Sequence, residues 1–303
     1  MKALVAGWFS FEQMGATAGD LYARDVLCGW LDRAGCSYDV ALAPPFVGGV
    51  EWTRVEPDKY SHLIFVCGPF GRSWMVTQFL QRFAGRHLVG VNLSMLEPLE
   101  IWNPFDLLLA RDSSAAARPD LSFLAHAPRV PVVGVVLIDS QPEYAGNDAK
   151  QTANAAISRV VASREVCAVR IDTRLDINSG GLRTPSEVGS LIAKMDVVLT
   201  TRMHGLVLAL KNGVPVVAVD PVAGGAKVKR QAETVGWPCV FTADSATDRQ
   251  LLQGLEFCLT EDARTQAKQC ALRAARVLER TAEDFLSYMR STGRTESARE
   301  VSR

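Results

Sequence analysis

The sequence carries no net charge, since 33 basic residues balance 33 acidic ones. That removes the global attraction to nucleic acid or to an anionic membrane surface that a basic chain would have. No apolar run approaches the roughly 18 residues of a membrane-crossing helix, so no transmembrane segment is expected. The opening Met-Lys-Ala-Leu-Val-Ala-Gly has too short an apolar stretch for a signal peptide and reads as a first strand. None of the seven cysteines forms a C-x-x-C pair, which leaves no zinc-ligand spacing. An odd, scattered set reads as reduced, buried thiols of a cytoplasmic protein. Histidine is scarce, and three of the four, His62, His87 and His126, stand in no motif. No internal repeat of short period occurs. No metal and no cofactor are expected.

What remains is an ordinary globular composition, 48% hydrophobic and 22% charged over 303 residues, with enough core for two domains. Strand-like and helix-like segments alternate throughout, which predicts an α/β fold of two Rossmann-like parallel-sheet domains facing a cleft. Strands are expected at 3–6, 63–67, 88–91 and 105–110. A helix capped by Asp20 follows a glycine-bearing loop from Gly7 to Gly19, and another runs from Ser73 to Ala84. The Ala-, Ser- and Pro-rich stretch 113–129 reads as a connection. A second series then starts, with strands at 131–138 and 166–171 and a helix capped by Asp148. Thr184-Pro185-Ser186-Glu187 is a helix start with a capping Thr, Pro at the first position and Glu three residues on. Helix alone follows Thr247. The domains are expected at 1–125 and 126–290, with a helical C-terminal end and a disordered tail at 291–303.

Asp196 to Pro221 is the most telling stretch. Val197 to Leu199 suit a strand covered on both faces, and Gly213 and Pro215 end a short helix before a second strand. Between strand and helix stand Arg202, His204 and Gly205. Ligands in open α/β sheets bind there, beyond a strand's carboxyl end and at a helix N-terminus. A guanidinium and an imidazole two residues apart point to an anionic substrate and a proton transfer.

With these residues in view, the chain resembles the polysaccharide pyruvyl transferase family. Thr200 to Gly205, T-T-R-M-H-G, is similar to the family's R-[LM]-H-G signature, and Ala209 to Pro215 supplies the A-L-x-x-G-x-P run after it. Phe105 to Ser113 resembles its A-R-D-x-x-S element. Gly7 to Asp20 resembles a stretched form of its N-terminal glycine loop, with Gly15, Gly19 and Asp20 kept and the family's Asn absent. Cys67-Gly68 stands where the family often has Gly-Gly. The resemblance implies a glycosyltransferase-B-like fold. It also implies transfer of a carboxyethylidene group from phosphoenolpyruvate to two hydroxyls of a sugar, in a glycan or lipid-linked precursor.

Phosphoenolpyruvate carries a phosphate and a carboxylate, so its site needs several cations. Arg202, Arg174, Arg183, Lys227 and Lys229 are candidates from the second domain, and Arg111 from the first. Histidine as a residue type titrates near neutrality, which makes His204 the first choice for the proton transfers. Lys227 and Lys229 sit where positive charge opposes a helix dipole, and free N–H groups there would share a phosphate with them. Plainer roles stand beside these. Arg202 could pair with Asp196 or Asp220, Arg111 with Asp112, and the lysines could be a solvated face. Asp20 could be a helix cap only. Gln141 and Glu143 could contact acceptor hydroxyls or form a turn at Pro142. Acceptor contacts are expected in the loops 43–57 and 94–103. The competing functions are a nucleotide-sugar glycosyltransferase of the same fold, with Glu233 as its ribose ligand, and a non-catalytic sugar-binding protein.

Overall fold

A computed structural model describes residues 1–138 and 149–300. The chain divides into two compact units, Met1–Pro128 and Arg129–Arg303. The expected helix cap Asp148 and the candidates Gln141 and Glu143 lie outside the described residues.

Unit 1 is built on a five-stranded sheet in the order β2-β1-β3-β5-β7. Its strands are β1 (Lys2–Ala6), β2 (Ser37–Val40), β3 (His62–Val66), β5 (His87–Val91) and β7 (Leu107–Leu109), all paired in parallel. Parallel neighbours need crossovers, and α1 (Ala18–Arg33) and α2 (Trp74–Arg82) supply two of them. A miniature sheet of β4 (Pro69–Phe70) and β6 (Ser94–Met95) extends the chain past the ends of β3 and β5. Side chains alternate across the sheet with period two. Leu4, Ala6, Leu63 and Phe65 enter one core, together with Phe70 and Phe79. Ala3, Val5, Ile64 and Val66 enter the other, with Phe9 and Leu27. Each fully buried Leu or Phe here contributes about 1.5–3 kcal/mol.

Unit 2 repeats the plan with the order β12-β11-β10-β8-β9. Here β8 is Val132–Val136, β9 Cys167–Arg170, β10 Val197–Thr200, β11 Val216–Asp220 and β12 Val240–Thr242. Strands β10 and β11 are buried along their whole length, as their unbroken apolar runs require. The helices are α3 (Lys150–Ala162), α4 (Pro185–Ile192), α5 (Met203–Lys211), α6 (Lys227–Val235), α7 (Asp248–Cys258) and α8 (Glu261–Glu300). Thr184 caps α4 as expected, accepting from the Glu187 N–H at 3.2 Å, with Pro at the start of the helix. The first part of α8 packs on α5, α6 and α7. The residues expected as a tail from Ser291 fall partly on α8 and partly outside the described residues.

The α/β class, the two parallel-sheet units and the helical C-terminal end stand as the sequence implies. Three local readings change. Strand β2 was not expected, because Ser-Tyr-Asp-Val at a half-exposed edge carries no apolar run. Helix α1 is capped by Thr17, and Asp20 is its third residue. The two form a reciprocal box, the Asp20 carboxylate accepting from the Thr17 N–H at 2.7 Å. All seven thiols are free, but only Cys67, Cys239, Cys258 and Cys270 are buried, while Cys167 is exposed. Among the described residues no helix is long and apolar enough to cross a membrane.

Candidate active site

In unit 2 the chain leaves β8 for the edge strand β9 and returns to β10, on the other side of β8. The carboxyl ends of β8 and β10 therefore flank the sheet's switch point, where open α/β folds form crevices. The turn Thr200–Gly205 lies there, and buried hydroxyls hold it. Thr200 and Thr201 are both fully buried. The Thr200 Oγ1 lies 2.9 Å from the Val136 carbonyl and 3.1 Å from that of Arg202, and accepts the Arg202 N–H at 2.9 Å. Thr201 Oγ1 donates to Asn154 Oδ1 at 2.8 Å and accepts from the Ile138 N–H at 2.9 Å. Asn154 Nδ2 closes the ring on the Ile138 carbonyl at 2.9 Å. The two threonines thus tie the ends of β8 and β10 to α3.

Gly205 is required by the same packing. A Cβ there would lie 2.2 Å from Thr200 Oγ1 and 3.0 Å from Val136 Cγ1. Gly205→Ala should therefore lower stability by about 1–3 kcal/mol, measured by urea denaturation. An unchanged midpoint would mean the turn relaxes around a methyl group at no cost.

Arg202 is the N-cap residue of α5, and His204 is the second residue of the helix. Their environments differ. The Arg202 side chain is 14% exposed and lies 3.6 Å from the Asp172 carboxylate, which is 15% exposed. Its Nη1 also reaches Thr173 Oγ1 at 3.3 Å. Asp172 is held in turn by the N–H groups of Arg174 and Ser179, at 2.9 and 3.3 Å. The loop after β9 thus reaches across the end of β8 to position the guanidinium. His204 is exposed, and among the described residues its ring has no hydrogen-bond or ion-pair partner. The turn therefore combines a fixed cation with an imidazole open to solvent.

The alternative pairings of Arg202 do not form. Asp196 instead meets Arg129 at 3.1 Å and Arg264 at 3.8 Å. Asp220 is fully buried and accepts the N–H groups of Val222, Ala226 and Lys229 at 3.0, 2.7 and 2.9 Å. Two of the N–H groups expected to be free for a phosphate at the start of α6, those of Ala226 and Lys229, are thus taken by a carboxylate of the chain itself. Lys229 folds its stem over Gly225, where a Cβ would meet it at 2.6 Å, and its Nζ lies 4.0 Å from Glu233. Glu233, on which the nucleotide-sugar reading rests, is thus a surface partner of Lys229. Lys227 is the first residue of α6 and is half-buried. Arg174 pairs with Asp176 at 3.1 Å beside the loop that holds Arg202. Arg183 pairs with Glu187 at 3.3 Å.

Unit 1 places its glycine loop and Cys67-Gly68 at its own switch point, the ends of β1 and β3, while Arg111 follows the edge strand β7. The loop after β1 is plugged into the core by Phe9 and Phe11, with Ser10 Oγ donating to the Ala41 carbonyl at 2.6 Å. Gly15 is exposed farther along this loop, and Gly19 lies in the first turn of α1. Gly68 has φ +79°, and a Cβ there would strike the Trp8 indole at 2.2 Å. That indole donates to the Pro69 carbonyl at 3.0 Å. Cys67 adopts φ +60°, and burial pushes its thiol well above the ordinary range. Arg111 is held by carboxylates of its own unit, Asp120 at 2.8 Å and Asp112 at 3.3 Å, and by Ser94. Burial alone would raise the Asp120 carboxyl, but hydrogen bonds led by Arg111 bring it down to about 2. The pairing of Arg111 with Asp112 is therefore present, within a wider network.

A family model described as polysaccharide pyruvyl transferase matches residues 48–221, more than half of the chain. No relative among curated proteins matches significantly. Among solved structures, the chain is similar to the spinosyn rhamnosyltransferase SpnG complexed with thymidine diphosphate. Identity is 11% over 93% of this chain and 100% of that one, with a TM-score of 0.35. It is also similar to the UDP-GlcNAc 2-epimerase of Methanocaldococcus jannaschii in complex with UDP-GlcNAc and UDP. There identity is 10% over 92% of this chain and 99% of that one, with a TM-score of 0.31.

Proposed function

The chain belongs to the polysaccharide pyruvyl transferase family, and we propose that it moves a carboxyethylidene group from phosphoenolpyruvate to two hydroxyls of a sugar. The observation that carries this reading is the turn at the end of β10. It joins a guanidinium fixed by Asp172 and Thr173 to a solvent-open imidazole two residues on. Arg202 binds an anionic group of the donor, and His204 handles protons.

A sugar hydroxyl oxygen bonds to the enol carbon, and the double-bond electrons take a proton from solvent at the methylene, which becomes methyl. His204 removes the hydroxyl proton in this step. The carbon–oxygen bond to phosphate then breaks, and phosphate leaves with that electron pair. The oxocarbenium-like carbon left behind is captured by the second hydroxyl, whose proton goes to the departed phosphate. Arg202 stabilises charge on the departing group. The products are a cyclic ketal and inorganic phosphate.

The test is phosphate release from phosphoenolpyruvate across a panel of sugar acceptors. Acceptor-dependent release is expected. Turnover of a nucleotide sugar without phosphoenolpyruvate would replace this reading with glycosyl transfer, and sugar binding without any turnover would replace it with a binding role. Within the proposed reaction Arg202→Lys is not conservative. Lysine keeps the charge but loses the planar fork that meets an oxyanion with two parallel bonds. Donor KM should rise or kcat fall by about tenfold or more, that is about 1.4 kcal/mol. Near-normal kinetics would make Arg202 a structural partner of Asp172.

A further inference from the structure

Helix α8 outruns the core it is seated on. Ala263, Ala267 and Cys270 are buried and hold its first part on unit 2. From Ala275 to Ser291 every residue of the helix is exposed. Large apolar side chains nevertheless continue along it, with Leu278 63%, Phe285 61% and Met289 52% exposed. A helix in a protein takes most of its stability from packing an apolar face.

The spacing of these residues selects the kind of surface they fit. Ala271, Ala275, Leu278, Ala282, Phe285 and Met289 follow one another at intervals of four and three. That is the narrow seam by which one helix packs on another. A membrane surface favours a helix whose polar face is rich in Lys and Arg. Here Arg276, Glu279, Arg280, Glu283 and Asp284 mix both signs around the seam.

The near end of the seam borders an apolar groove of unit 2. Ala271, Ala274 and Ala275 form one wall, and Leu206 and Leu210 of α5 and Val235 of α6 face them. Helix α8 is continuous, so Met289 stands about 27 Å from Ala271 along the axis, at about 1.5 Å per residue. The large side chains of the far end therefore cannot reach the groove of their own chain.

A second copy can supply them. With two α8 helices antiparallel and Ala271 level with the other copy's Met289, Ala275 meets Phe285 and Leu278 meets Ala282. Symmetry repeats the three pairs. Every layer then sets one alanine against one large side chain, the complementarity that fills a helix interface evenly. Parallel pairing in register would instead give Ala–Ala layers beside Phe–Phe and Leu–Leu ones. The flanks agree. On one side Leu272 comes beside Leu286, and Arg276 beside Glu283. On the other Ala274 comes beside Tyr288. Leu272, Leu286 and Tyr288 are all exposed in the single chain. We propose that α8 is a dimerisation arm, two copies of this chain pairing through antiparallel α8 helices with the far half of each in the other's groove. This pairing does not depend on the reaction assigned to Arg202 and His204.

The test is sedimentation velocity of the full chain across about 1–100 μM protein, the range that resolves a micromolar dimer. The wild type should be dimeric at the upper end. Leu278→Glu places a charge in a central layer and should weaken the dimer by about a hundredfold or more, leaving a monomer throughout. No tryptophan lies on α8, so an unchanged near-ultraviolet tryptophan signal will show that the rest of this variant is folded. Arg276→Glu should weaken the dimer about tenfold, since symmetry turns two contacts repulsive at once, and adding Glu283→Arg should bring it back to within about threefold of wild type. Along one helix these two residues are seven apart and out of reach of each other, so recovery reports a contact between copies. A wild type that is monomeric at every concentration, or a dimer indifferent to Leu278→Glu, overturns the arm. A double reversal as weak as Arg276→Glu alone overturns the antiparallel pairing. A monomer that binds vesicles of phosphatidylcholine and phosphatidylglycerol, and loses them in Leu278→Glu, overturns the dimer in favour of a membrane contact.

Discussion

Replacing His204 by alanine should reduce kcat/KM for phosphate release from phosphoenolpyruvate by about 10²–10⁴, the usual contribution of a positioned acid–base group. Stability should barely change, because the ring is exposed and has no partner among the described residues to lose. Donor affinity should also be nearly intact, since Arg202 and its supports Asp172 and Thr173 are untouched. The two outcomes must be measured together. A drop in activity with a shifted urea midpoint would report damage to α5. A variant that keeps more than about a tenth of wild-type kcat/KM, a loss below about 1.4 kcal/mol, would remove His204 from the chemistry. Phosphoenolpyruvate binding without turnover in this variant is the result that separates a proton-transfer role from a binding one.

The turn that carries His204 was legible because strand, turn and helix lie within one short segment. Val197 to Leu199 and the Gly213 stop announce themselves by apolar run and backbone breaker. The supports of the turn were not legible. Asp172, Thr173 and Asn154 reach it only because β9, β8 and β10 are neighbours, which sequence spacing does not encode. Nothing in the Asp172 region sets it apart from an ordinary loop acid. Asp20 suits an N-cap position by residue type alone, whereas the structure gives that position to Thr17. The signal for the reciprocal Thr17–Asp20 box is the spacing of Thr and Asp three residues apart. The β1 loop looked like an open glycine loop, but its Phe9 and Phe11 carried the signal for core anchoring.

The largest stability effect is expected at Asp220, where sequence and structure diverged most. The lysines at the start of α6 oppose its dipole and imply an anion to offset them. The structure supplies that anion from within the chain. Helix α6 has Ala226 as its N-cap residue, and no side chain of its own caps it. Asp220, the last residue of β11, takes over. Its carboxylate holds the N–H groups of Ala226 and Lys229, with that of Val222 on its other oxygen. Hydrogen bonds to an ionised group are each worth about 1.5–3 kcal/mol, and they are not additive when they share one acceptor group. Asp220→Ala should therefore cost about 3–5 kcal/mol, less than the three bonds taken singly would sum to. Asp220→Asn keeps one carbonyl oxygen without the charge and should lose clearly less. Urea denaturation with a common slope measures both, a changed midpoint at constant slope reporting stability alone. Inorganic phosphate adds a second readout. If it raises the Asp220→Ala midpoint but not that of the wild type, the vacated helix end takes an external anion, as its geometry allows. If Asp220→Ala unfolds at the wild-type midpoint without phosphate, the carboxylate is not the anion that α6 depends on.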